Sequence, residues 1–256
     1  MTDIERDKLL SKISTIPGGL SKAEACALFE MAKLVPSNQA IVEIGSWKGR
    51  STICLALGSK TGNSARVYAI DPHTGSPDHL RRGQFVWTFN TFRENVSIAG
   101  VSDVIEPILL TGEKVAKLWD KKTALVFVDA QYHSLQLTTE LCLAWLKILS
   151  LGGTLALHNT MPALVGILEG HPLHGCEPVT QFMRCYIYNS DIYKVTGIAG
   201  TISFIQKNSP SFLNRLVNFY RYLESRIIYG VYYCYRIFTK TPIPIKKLFK
   251  KIIFSR

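Results

Sequence analysis

The 256-residue sequence contains no CxxC pair, no GxGxxG, no GK[ST] and no apolar run approaching the roughly eighteen residues a membrane span needs. Six scattered cysteines (Cys26, Cys54, Cys142, Cys176, Cys185 and Cys234), several within apolar runs, read as reduced thiols rather than a disulfide framework or metal knot. The opening MTDIERDKLLSK mixes acids with bases and lacks an apolar h-region, which predicts no secretory signal and a cytoplasmic protein. Acid is nearly missing from the other end. From Pro210 to Arg256, ten Lys or Arg face Glu224 alone, and this segment carries nine of the eleven net positive charges. The preceding residues hold 20 bases against 18 acids, an ordinary near-neutral surface. An apolar fraction of 47% with 19% charged residues excludes disorder, and the length suffices for one full core with an appendage.

Ser21-Lys22-Ala23-Glu24 has the spacing of a capping box, and Ala25, Leu28, Met31, Ala32 and Val35 then recur at helical intervals until Pro36 ends the run. From Ala40, short apolar runs alternate with helical segments: AIVEIG with RSTICLALG, RVYAID with QFVWTFNTFRENVSIAG, VIEPILL with GEKVAKLW, ALVFVD with LQLTTELCLAWLKIL, and TLALHN with MPALVGILEG. Five such units in succession predict a parallel sheet covered by helices on both faces. After Pro178 the runs FMRCYIYN, DIYKVTG and GTISFIQK predict an antiparallel edge. The expected architecture is α/β, a Rossmann-like doubly wound, mostly parallel seven-stranded sheet with an antiparallel edge hairpin and a basic helical tail. Its parts are a helical lead-in over 1–38, the α/β domain over 39–209 and the tail over 210–256.

Ligands of such sheets bind beyond the carboxyl ends of the strands. The first strand ends in Glu43-Ile44-Gly45-Ser46-Trp47-Lys48-Gly49-Arg50-Ser51-Thr52, where two glycines permit a sharp turn and close approach to a ligand. Asp71 closes the second strand and Asp129 the fourth. A carboxylate at a buried strand end needs solvent, a cation or a ligand to compensate its charge, so Glu43, Asp71 and Asp129 converge on one binding rim. The alternative is that each caps a neighbouring loop.

VEIGSWKGRST, AIDPH, TGEKVAKLW, VDAQYHS and LSLGGTLALHNT, in this order from about Val42 to about Lys207, resemble the class I S-adenosylmethionine-dependent methyltransferases. The resemblance is to methyltransferase family 24, rich in enzymes of sugar, glycan and natural-product tailoring. It implies that Gly45, Ser46 and Gly49 shape the loop around the methionine moiety of S-adenosylmethionine, with Glu43 near its ammonium group. Asp71 would hold the ribose hydroxyls, Gly112 and Glu113 would lie by the adenine, and Asp129 would face the methionine end and the reaction chamber. His133 and His158 correspond to two family histidines and, as imidazoles near neutral pH, are candidates for the base that deprotonates a hydroxyl acceptor. His73 is a third candidate, whereas His79, His171 and His174 read as loop residues. The chain departs from the family pattern at Gln131 and at Asn159, each standing where an acid is common. That leaves Asp129 as the clear carboxylate and too few hard anionic oxygens for magnesium, so no metal is expected.

The tail holds eleven of the 27 aromatic residues, and Leu213, Leu216, Val217, Tyr220, Leu223 and Ile227 keep helical spacing. Such a segment suits the interface of an anionic membrane, here its inner face. The alternatives are packing on the domain or a second subunit, with homo-oligomer formation left open, and contact with nucleic acid. The expected function is methyl transfer to a hydroxyl of a sugar, glycan or lipid-linked glycan. A non-catalytic binding or scaffold protein on the same fold, localised by its tail, is the second reading.

Overall fold

Thr2 and Ser21 each open a helix with a reciprocal capping box, Thr2 with Glu5 and Ser21 with Glu24. The helices are α1 (Asp3–Ile13) and α2 (Lys22–Lys33). The computed structural model describes residues 2–75, 79, 81–130, 134–160 and 177–239. The expected fifth unit's helix, MPALVGILEG, lies outside them.

Strands β1 (Ala40–Ile44), β2 (Val67–Ile70), β3 (Ile105–Ile108), β4 (Thr123–Val128) and β5 (Leu149–Leu157) run parallel, as their near-continuous apolar character requires of a sheet covered on both faces. β6 (Tyr193–Ala199) and β7 (Ile202–Lys207) form a hairpin, with β7 antiparallel to β5. The seven strands take the order β3-β2-β1-β4-β5-β7-β6, so the chain reverses direction across the sheet between β1 and β4. The doubly wound sheet with an antiparallel edge is the architecture expected from the sequence.

Two cores flank the sheet. One face carries α1, α2, α3 (Arg50–Thr61) and α4 (Phe89–Ala99), with Leu9, Leu28, Ile53 and Phe92 packed on Ile41, Val67 and Phe127. The other carries α5 (Gly112–Leu118), α6 (Leu135–Ile148) and α7 (Glu177–Phe182), with Trp145, Leu146 and Phe182 packed on Val42, Val126 and Leu155. Leu9, Ile13, Ile16 and Leu20 of the lead-in are thus buried in the same core as the sheet.

FMRCYIYN departs from the expected edge strand. Met183–Ile187 continues α7 as a π-helical turn, because Val179, Phe182, Met183 and Ile187 then all turn into the core beside Trp145. The last described element is α8 (Phe212–Thr239). Among the described residues, no helix is long and apolar enough to cross a membrane.

Candidate active site

The pleat of β1 decides the fate of its one acid. Val42 and Ile44 face one core, while Ile41 and Glu43 face the other. Glu43 is fully buried beneath α3, where the hydroxyls of Ser51 and Thr52 donate to its carboxylate. Burial, partly offset by these hydroxyls, pushes its carboxyl up to about 7. Glu43 does not line the cavity described below, so the expectation that it faces a ligand is corrected. Strand alternation turns it away, and it instead anchors the first turn of α3.

Beyond Ile44 the chain makes a tight turn in which Gly49 N–H donates to Ser46 O at 2.8 Å. Gly45 and Gly49 have φ of 93° and 90°, and a Cβ on Gly45 would collide with the carbonyl of Asp129. Trp47 shares the left-handed conformation at 47°, held by its N–H donating to Asp71 Oδ2 at 2.8 Å. The other oxygen of Asp71 accepts from His73 N–H at 2.6 Å. Each oxygen therefore takes one backbone amide and keeps further acceptor capacity.

This turn, the ends of β1, β2 and β4, and the start of α5 surround a cavity of about 520 Å³. It lies beside the point where strand order reverses, where an open α/β sheet places its ligand. Gly45, Ser46, Asp71, Gly112, Glu113 and Asp129 all line it, on an apolar floor of Ile44, Ile70 and Leu141. Gly49 does not line it. Gly49 caps α3 and packs on Phe92 and Val96.

His158, expected as a base on the same rim, is set back from the cavity. It is 5% exposed and does not line the cavity. Its Nδ1 lies 2.7 Å from Asp129 Oδ1 and its Nε2 lies 3.5 Å from Glu24 Oε1. Burial alone would depress its basicity, but the two carboxylates outweigh burial and raise it to about 10. An imidazole held as imidazolium between two acids is not available to accept a proton near neutral pH. Glu24 opposes the same desolvation with His158, Thr201 N–H and Ser21 N–H, and falls to about 2. Its Oε1 also accepts from the Thr201 hydroxyl at 2.8 Å, so one side chain caps α2, holds His158 and ties down the β6–β7 turn.

His133 lies outside the described residues. His73 is buried among Phe89 and Phe92, with Nδ1 at 2.9 Å from Thr88 Oγ1, and burial lowers its basicity despite nearby Asp71. His79 does reach the cavity, stacked on Trp47 with ring centroids 5.7 Å apart. Sequence reasoning missed that pair, and it missed the segment Pro17-Gly18-Gly19-Leu20, which forms another wall. Arg50 fixes this wall by donating to Ile16 O at 3.0 Å and Gly18 O at 3.4 Å. The Pro-Gly-Gly punctuation just before a capping box was the available signal. Among the described residues, no three His, Cys, Asp or Glu cluster to hold a metal ion.

Residues 42–160, which supply β1, the glycine turn, Asp71, Asp129 and His158, match the family model described as "Methyltransferase domain", family 24. That stretch of the chain is similar to the family-24 methyltransferase domain. Solved methyltransferases share its fold. The O-methyltransferase TomG from Streptomyces achromogenes, in complex with S-adenosylmethionine, is 19% identical with a TM-score of 0.52, covering 82% of this chain and 92% of its own. The S-adenosylhomocysteine-bound methyltransferase PaMTH1 from Podospora anserina is 17% identical with a TM-score of 0.57, covering 82% and 89%. The sheet and its flanking helices extend past the matched residues through the β6–β7 hairpin and back to α2, which supplies Glu24.

Proposed function

We propose that the protein transfers the methyl group of S-adenosylmethionine to a hydroxyl of a sugar, glycan or lipid-linked glycan. The observation that carries this reading is the cavity over β1, β2 and β4 in a stretch similar to the family-24 methyltransferase domain, with Asp71 at its edge and a glycine turn at its base. Its residues fit a cationic nucleoside. Three carboxylates, Asp71, Glu113 and Asp129, line it against two bases, Lys48 and Arg50, and the guanidinium of Arg50 is turned to backbone carbonyls. Asp71 keeps acceptor capacity for two ribose hydroxyls, and the flat Trp47–His79 pair borders the same space. The O-methyltransferase activity of TomG and the family's association with sugar tailoring support a hydroxyl acceptor.

S-adenosylmethionine, when bound, supplies an activated methyl on a sulfonium, which leaves as a neutral thioether. The chain's part is to align the acceptor, exclude water and take the hydroxyl proton. Of the two expected catalytic residues among the described ones, Asp129 and His158, Asp129 is the one that borders the cavity. We assign it as the proton acceptor and His158 as the positioning residue that fixes its carboxylate.

Calorimetric titration with S-adenosylhomocysteine tests the reading. Saturable one-to-one binding is expected, with Asp129→Asn retaining most of it while losing methyl transfer to sugar hydroxyls. A folded protein that gives no binding heat would overturn it in favour of the scaffold reading.

A further inference from the structure

α8 is amphipathic in the reverse of the usual sense. Its two asparagines face the protein. Asn214 and Asn218 are 6% and 0% exposed. Asn218 Oδ1 accepts from Val195 N–H at 3.0 Å, and its Nδ2 donates to the carbonyls of Ile187, Ser190 and Tyr193. Asn214 Nδ2 donates to Asp191 O at 2.7 Å. The main chain around β6 thus holds α8 by two buried amides.

Residues two places away on a helix lie about 200° round its axis, so Leu216 and Tyr220 stand opposite Asn218. Phe212, Leu216, Phe219, Tyr220, Leu223 and Ile227 form a continuous stripe there, and all are exposed, Ile227 at 67%. The stripe runs for about 22 Å at 1.5 Å per residue. An ordinary surface helix buries such a face.

We propose that this stripe docks on an anionic lipid bilayer, lying in the headgroup boundary. Charge decides between occupants. The segment from Pro210 carries ten bases against one acid, while the rest of the chain is near neutral. A second copy carries the same surplus of positive charge, like charge on like. An anionic surface opposes it with the complementary sign. Within the stripe itself there is no base. Arg215 and the exposed Arg226 lie along one flank, Arg215 paired with Asp191 at 3.0 Å, while Arg221, nearer the Asn218 side, pairs with Glu224 at 2.7 Å. A face of Leu, Ile and Phe offers nothing to a phosphate backbone, which sets nucleic acid aside, but it fits acyl chains beneath a charged headgroup layer.

The test is co-sedimentation of the full chain with phosphatidylcholine vesicles, with and without phosphatidylglycerol. Wild type is expected to sediment with the phosphatidylglycerol vesicles, to be released as salt is raised, and to leave pure phosphatidylcholine largely unbound. The variant Leu216→Glu/Leu223→Glu/Ile227→Glu should partition at least about tenfold more weakly. Its altered positions face solvent, so its circular dichroism and melting temperature should match wild type. The single Ile227→Glu change provides a milder comparison should the triple variant misfold. Equal vesicle binding by wild type and the folded variants would overturn the proposal. So would a dimer, seen by sedimentation velocity and dissolved by the same substitutions, in a protein that ignores both kinds of vesicle.

Discussion

Asp71 and His158 hold charge at strand ends in opposite ways. Asp71 uses one acceptor site of each oxygen for a backbone amide and presents the remainder to the cavity. Asp71→Ala is therefore expected to weaken S-adenosylhomocysteine binding by about 1 to 3 kcal/mol, measured by calorimetry, and an unchanged affinity would remove the ribose assignment. His158 is enclosed by acids. Its folded-state value of about 10 stands above the ordinary histidine value of 6.5, so its contribution to stability is complete below 6.5 and lost as pH rises through 10. Glu24, lowered from 4.5 to about 2, contributes fully above 4.5 and loses its contribution as pH falls toward 2. The melting-temperature advantage of wild type over His158→Gln should accordingly be greatest near pH 5 to 6 and shrink steadily toward pH 10. A difference that stays flat over that range would show the histidine to be neutral in the fold. The residue types at the site were legible because carboxylates and glycines at strand ends are expensive or strained without a purpose. The protonation of His158 was not legible, because one of its partners, Glu24, lies 134 positions earlier and was accounted for locally by its capping box.

Gly58 illustrates what decides element packing. Alone, a glycine in mid-helix costs about 1 kcal/mol against alanine, so Gly58→Ala would stabilise an isolated α3. In the fold a Cβ there would overlap the backbone carbonyl of Phe29 in α2, and that carbonyl cannot swing aside as a side-chain tip can. The steric term dominates, and Gly58→Ala should destabilise the protein by about 1 to 3 kcal/mol in urea unfolding, whereas a gain in stability would mean that α2 and α3 slide apart freely. The strand–helix alternation was legible because apolar runs and helical periodicity switch sharply from Ala40 onward. FMRCYIYN was not, since Phe, Tyr and Ile favour strands in general while burial of Phe182, Met183 and Ile187 on one side favours a helix here. Within the expected helical lead-in, α1 was not marked off as an element of its own, because among its described side chains Leu9 and Ile13 are the buried ones, too few to set a visible period.

At the scale of the whole molecule, the lead-in and the sheet share one core, with Leu9, Ile13 and Leu28 packed among strand residues. Heat unfolding followed by the fluorescence of the four tryptophans, Trp119 and Trp145 of the opposite face among them, should coincide with loss of helix by circular dichroism. An earlier helical transition would instead make 1–38 a separate unit. S-adenosylhomocysteine at a hundred times its dissociation constant should stabilise that single transition by about 2.7 kcal/mol. The reversed amphipathicity of α8 was half legible. Periodicity marked a helix, but only the buried contacts of Asn214 and Asn218 reveal which side turns outward.

The attachment of His158 to α2 has a consequence for anyone who would transplant this module. Residues 42–160 look like a self-sufficient cassette, yet the acid across from Asp129 sits upstream of it, on Glu24. Excised at that border, the imidazole would keep a single counter-ion and drift back toward ordinary titration. A graft therefore has to carry the whole lead-in, since Leu9 and Ile13 share the sheet's core and Pro17 to Leu20 wall the cavity.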